Sequence, residues 1–79
     1  MKQADALNDI RDAINVHAET TLETLSPSDN LSGLGLDALS YVEVTMSLEE
    51  KWGISIGADL PDFEDDLTVQ SLLDQAPKG

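Results

Sequence analysis

The stretch Gly33-Leu34-Gly35-Leu36-Asp37-Ala38-Leu39 decides how the chain is read. Two glycines alternating with leucines describe a bent, anchored loop rather than a regular element. Asp37 then stands where a helix would begin. Its carboxylate can accept from free backbone N–H groups and complements the positive end of the helix dipole. From there the apolar pattern becomes periodic, and Gly53 marks a stop. The spacing predicts a helix opened by Asp37 and running to about Trp52.

At about 100° per residue, Tyr41, Val44, Thr45, Leu48 and Trp52 of that helix fall in one narrow arc, which is expected to face the core. Tyr41 and Trp52 are therefore read as core residues rather than as a cofactor box. Leu39, Val42 and Met46 form a second apolar stripe bordered by Glu43, Glu49 and Glu50. A helix with more apolar surface than one buried face needs is expected to meet a partner, and Met46 is assigned to recognition rather than to packing.

On the N-terminal side, Leu7, Ile10, Ala13, Ile14 and His17 recur at three- and four-residue steps and predict a helix from about Gln3 to Glu19. His17 lies at the edge of its stripe, where a satisfied, half-buried imidazole near a helix C-terminus is expected. Between the two helices, Leu22, Leu25, Leu31, Leu34 and Leu36 have no helical period and are interrupted by Ser26-Pro27-Ser28-Asp29-Asn30. A long loop held down by its leucines is expected, and such loops tend to be functional. After Ile54-Ser55-Ile56, the acidic segment Asp59 to Asp66 has room for one or two helical turns. A last helix is expected from near Thr68 to before Pro77, with Val69, Leu72 and Leu73 inward. There is no internal repeat.

Seventy-nine residues make one domain, 1–79, which removes only roughly 60% of its unfolded surface from water. Sixteen acidic against four basic residues give a net charge of −12. That charge argues against nucleic acid and anionic membranes and for basic protein surfaces as partners. With no cysteine, disulfides, thiolate metal sites and a cysteine nucleophile are excluded. The start of the chain turns acidic at once and no apolar run approaches the ~18 residues of a membrane span, so a cytoplasmic monomer is expected. Asp62, Glu64, Asp65 and Asp66 lack the alternating ligands and closing glutamate of a calcium loop. A solvated face is the favoured reading of this run, with a small calcium-binding protein as the weaker one.

The segments Leu-Gly-Leu-Asp-Ala-Leu (34–39), Leu48-Glu49-Glu50-Lys51-Trp52-Gly53-Ile54-Ser55-Ile56 and Leu67-Thr68-Val69-Gln70-Ser71-Leu72, in this order over nearly the whole chain, resemble the acyl carrier proteins. The resemblance implies an all-α, four-helix bundle: three main helices, one short helix, and a long loop between helices one and two. In that family the first segment reads Leu-Gly-Leu-Asp-Ser-Leu, and the serine bears a phosphopantetheine arm that carries intermediates as thioesters. Here Ala38 takes the serine's place within the motif Gly35, Leu36, Asp37 and Leu39. A methyl group has no oxygen with which to attack the pyrophosphate of coenzyme A, so no cofactor is expected on this chain. Ser40, about 200° further round the helix, is no substitute. One position breaks the pattern while its neighbours keep it, which reads as a Ser-to-Ala form of a working carrier.

The resemblance also implies what surrounds the arm. Asp37 would help a transferase hold its metal and phosphate, and the glycines would leave that enzyme room. Leu39, Val42, Glu43, Met46, Glu49 and Glu50 would meet basic docking surfaces of ketosynthase, acyltransferase and phosphopantetheinyl transferase type enzymes. The carrier itself would perform no chemistry. The segment 52–56 is closer to carriers of polyketide pathways; a fatty-acid or peptidyl carrier and an arm-less, carrier-shaped scaffold are the alternatives. Gly57-Ala58-Asp59-Leu60 before Pro61-Asp62 departs from the family pattern and is expected to shift or tilt the short helix.

Overall fold

The computed structural model describes residues 1–57 and 60–77. Among the described residues three α-helices form, α1 (Gln3–His17), α2 (Ala38–Trp52) and α3 (Val69–Leu73), with a 3₁₀ turn, Ser32–Leu34, ahead of α2. Among the described residues there is no strand, only an isolated antiparallel bridge between Asn30 and Thr68. The chain is therefore all-α, as the sequence implied.

Periodicity and burial agree closely. From α1, Ala6, Ile10, Ala13 and Ile14 are buried, and the inner arc of α2, Tyr41, Val44, Thr45, Leu48 and Trp52, is buried throughout. Val69, Leu72 and Leu73 close the core from α3. Fully burying an Ile, Leu or Val side chain is worth about 1.5–3 kcal/mol. Ile10, Ile14, Val44, Leu48, Val69 and Leu72, all fully buried, thus fix how the helices pack.

Polar contacts then orient them. The indole N–H of Trp52 donates to Asp9 Oδ2 at 2.8 Å, while Lys51 Nζ lies 3.1 Å from Asp9 Oδ1. One carboxylate on α1 thus holds the last turn of α2.

The long connection between α1 and α2 is held by its leucines, of which Leu31 and Leu36 are buried and Leu22, Leu25 and Leu34 partly so. It is also held by side chains of α1. Asn15 Oδ1 accepts from the Leu22 N–H and the Thr20 hydroxyl, both at 2.8 Å, and Asn15 Nδ2 donates to Leu22 O at 3.0 Å. Arg11 Nη1 donates to Glu23 O at 2.9 Å. At its far end the loop pairs with the start of α3: Leu31 N–H donates to Leu67 O and Val69 N–H to Asp29 O, each at 2.9 Å.

Two expectations need correction. Helix α1 ends at His17 rather than Glu19, because Glu19 takes a positive φ of 56° and the chain turns so that Thr20 and Leu22 reach Asn15. Residues 60–66, the described part of the segment expected to hold the short helix, form bends and turns without helix; Ala58 and Asp59 lie outside the described residues. Pro61 lacks an N–H and disfavours helical geometry at Leu60, and the four carboxylates of Asp62, Glu64, Asp65 and Asp66 would repel one another along a helix.

Candidate functional site

Position 38 is fixed from its N-terminal side by the loop. Gly35 caps the 3₁₀ turn with a left-handed φ of 98°, a conformation that costs any residue with a Cβ about 1–2 kcal/mol. Its N–H donates to Ser32 O at 3.1 Å, and the next N–H, of Leu36, donates to Leu31 O at 3.2 Å. Leu36 is then driven into the core, 4% exposed. An anchored leucine beside a tight left-handed turn leaves Asp37 extended at the mouth of α2.

Asp37 and Ser40 cap that helix reciprocally. Asp37 Oδ1 accepts from the Ser40 N–H at 2.8 Å and the Ser40 hydroxyl at 2.9 Å, and Ser40 Oγ accepts from the Asp37 N–H at 2.9 Å. This is a capping box with serine at the third helical position. Hydrogen bonds to the ionised form, first from the Ser40 amide and then from its hydroxyl, hold the Asp37 carboxyl below the usual range for aspartate.

Ala38 is the first residue of α2 and is exposed. A side chain here projects from the turn whose N–H groups are free of helical partners, where a phosphate ester finds donors and a favourable dipole. The geometry suits such an ester; the side chain does not. The methyl of Ala38 has no atom to which a phosphopantetheine could be joined, and the hydroxyl nearest in sequence, on Ser40, is buried and committed to Asp37. The residues present do not fit attachment of the group.

Beyond Ala38, the outer side of α2 carries Leu39, Val42 and Met46, which are 70%, 51% and 61% exposed. Glu43 and Glu50 are exposed beside them. Glu49 differs from its neighbours. Its Oε2 accepts from the Ile56 N–H at 2.8 Å and the Gly57 N–H at 3.2 Å, so it secures the chain after α2 and has less to offer a partner than the sequence implied.

A cleft of about 440 Å³ runs from Ala38 to Glu49 between α2 and the segment ending at Phe63. Its walls include Val42, Met46, Leu60 and Phe63. Tyr41 forms the floor, its ring 5.4 Å from that of Phe63 and its hydroxyl donating to Pro61 O at 3.2 Å. Burial, with a smaller contribution from Asp62, pushes the Tyr41 phenol above its usual range. Tyr41 and Thr45 keep their hydroxyls bonded within the protein, Thr45 to Tyr41 O at 2.9 Å, so the wall formed by Val42, Met46, Leu60 and Phe63 is apolar, with Asp62 and Glu49 at the cleft as its charged residues. Leu60 and Phe63 were not singled out from the sequence, although a lone phenylalanine inside an acidic run is a signal that something apolar lies there.

The model of the family described as "Phosphopantetheine attachment site" matches residues 7–75. The chain belongs to this family. The match spans most of α1, the loop, the helix-opening motif, α2 and α3, so it covers the elements that position residue 38. No curated protein and no solved structure matches the chain significantly. Phosphopantetheine-carrier domains carry their cargo on that group, perform no chemistry themselves and deal with synthase and transferase enzymes. Among the described residues no group of acidic side chains or histidine is arranged to hold a metal, and no helix is long and apolar enough to cross a membrane.

Proposed function

We propose that the chain is an acyl carrier of a multi-enzyme synthase in a Ser-to-Ala form, able to dock but unable to be loaded. The observation that carries this reading is the state of position 38. It occupies the exposed first turn of a capped helix, beside a largely apolar cleft, with Gly35 supplying the turn, Leu36 the anchor and Asp37 the cap, and with no reactive oxygen on residue 38 itself. The parent activity would be presentation of acyl or polyketide intermediates, an assignment supported by the cleft and by the likeness of residues 52–56 to polyketide carriers. A fatty-acid carrier is the nearest alternative.

Docking would use the outer side of α2. Leu39, Val42 and Met46 supply shallow apolar contacts, and Glu43 and Glu50 supply charge for ketosynthase, acyltransferase or transferase surfaces rich in lysine and arginine. Exposed ion pairs are worth only ~0–1 kcal/mol each, so association is expected to be weak and salt-sensitive. A carrier that visits several enzymes has to be released by each.

The test is Ala38→Ser. Incubated with coenzyme A and a broad phosphopantetheinyl transferase, the serine variant should gain the arm in an intact-mass spectrum while the parent chain does not. Failure of the serine variant to gain mass would favour the carrier-shaped scaffold and overturn the reading. Docking is tested separately by Glu43→Lys with Glu50→Lys, expected to weaken binding to a basic partner at low salt. Glu49 is left in place because its carboxylate holds Ile56 and Gly57.

A further inference from the structure

We propose that Tyr41 is the depth stop of the cleft beside position 38, so that the site takes a short, uncharged apolar segment lying along α2 and excludes a long chain from the core. This rests on the carrier reading above and names the class of cargo that goes with it.

The cleft follows one stripe of α2. Ala38, Tyr41, Val42, Thr45, Met46 and Glu49 line it at three- and four-residue steps, so it runs parallel to the helix axis for about 16 Å at 1.5 Å per residue. Residues 60–63 form the facing side. Tyr41 belongs to the cleft and to the core at once. It lines the cleft, yet it is only 5% exposed and sits in the buried cluster with Leu36, Val44 and Leu48. Its ring therefore stands between the trough and the interior.

That ring is held at both ends. Its backbone lies near the start of α2, and its hydroxyl reaches across to donate to Pro61 O at 3.2 Å. Phe63 packs against it with ring centroids 5.4 Å apart. Swinging the phenol aside would forfeit both the bond and the aromatic contact, so the ring is a fixed floor rather than a gate.

Charge then selects what can lie above the floor. Asp62 and Glu49 at the cleft, in a chain of net charge −12, disfavour an anionic cargo. The wall of Val42, Met46, Leu60 and Phe63 favours apolar surface. Each methylene buried there should tighten binding about fourfold until the trough is filled. Further methylenes meet the ring beneath them and water at the open end, and add nothing.

Straight-chain primary alcohols from butanol to decanol test this, since they are uncharged and need no attachment to residue 38. Titrated into the parent chain and followed by the Met46 methyl and Phe63 ring resonances in NMR, they should bind about fourfold more tightly per methylene and then level off within the series. Tyr41→Leu keeps an apolar core residue but removes the ring and its bond. Its plateau should move by about two methylenes, a gain of more than tenfold for decanol. Tyr41→Phe keeps the ring and should keep the parent's plateau. Trp52 fluorescence in urea checks that the variants fold, and the parent series is decisive even if Tyr41→Leu does not. Affinity rising through decanol in the parent, or no saturable shift at Met46 and Phe63, would overturn the stop. So would a plateau common to the parent and Tyr41→Leu, or one moved equally by Tyr41→Phe. The carrier reading fails separately, if Ala38→Ser gains no arm, and the alcohol series reports on the floor in either case.

Discussion

Replacing Asp9 separates the two interactions by which α1 holds the end of α2. In Asp9→Ala the Trp52 indole N–H loses its acceptor and, with Trp52 only 9% exposed, is left largely without water. Hydrogen bonds to charged groups contribute about 1.5–3 kcal/mol, and an orphaned buried donor costs a similar amount. The Lys51 pair adds little, because Lys51 is 54% exposed and such pairs are worth ~0–1 kcal/mol. Asp9→Ala should therefore destabilise the domain by about 2 kcal/mol, a fall in Tm of roughly 8–16 °C for a domain this small. Asp9→Asn keeps an acceptor for the indole and loses only charge, so about half the effect is expected; Lys51→Ala should cost no more than about 0.5 kcal/mol. Urea unfolding followed by the fluorescence of the single tryptophan measures all three. The reasoning fails if Lys51→Ala is as damaging as Asp9→Ala, or if the asparagine variant is no better than the alanine one. Either result would make the ion pair, not the indole bond, the joint between the helices.

Three further substitutions test the capping and the cleft. Gly53 ends α2 with a φ of 67° and open space where a Cβ would stand, so Gly53→Ala should cost about 1–2 kcal/mol from backbone conformation alone, read as a shift in urea midpoint without change in slope. Ser40→Ala removes a donor to the Asp37 carboxylate and should raise its titration midpoint in a carboxyl NMR experiment. In the parent, whose Asp37 value is depressed on folding, the stabilisation is present above the ordinary aspartate range and is lost as pH falls through the folded value. Tyr41→Phe should cost about 1 kcal/mol through the lost bond to Pro61. The parent's phenol, raised on folding, should ionise above pH 10 in a 295 nm titration, with stability declining as pH rises through that region.

Local chemistry explains which parts of this structure were legible in the sequence. Helix α2 was bounded correctly because Asp37 and Gly53 act on their immediate neighbours, one by capping and one by adopting a left-handed turn. The buried arc followed from helical period alone. The end of α1 was misplaced because no glycine or proline marks it; the chain leaves the helix to satisfy Asn15, whose partners lie five and seven residues on. The short helix expected before Thr68 does not form over residues 60–66, where a proline and four like charges outweigh the spacing. Glu49 looked like surface charge, since nothing in its own segment shows that its carboxylate turns back to cap the N–H groups of Ile56 and Gly57. The hydrogen bond between His17 and Ser47 was equally invisible, because thirty residues separate them and only tertiary packing brings them together.

Alanine at position 38 offers no oxygen for an ester and fits the fold without strain, and the capping geometry explains why. The opening of α2 is secured by residues on either side: Asp37 accepts the Ser40 amide, Ser40 returns a bond to the Asp37 amide, Gly35 supplies the left-handed turn and Leu36 the anchor. Residue 38 contributes neither a cap nor a buried contact, and alanine is the residue best suited to a helix. A serine hydroxyl here would face solvent at the free N–H groups of the first turn. On the proposed reading, attachment chemistry and helix initiation would fall to adjacent but separate residues. Ala38→Ser and the parent chain should accordingly melt within a few tenths of a kcal/mol of each other, while differing completely in their capacity to accept the arm. A large loss of stability in the serine variant would mean that residue 38 has a packing role hidden from this geometry. It would then also remove the ground for treating the motif as intact apart from its oxygen.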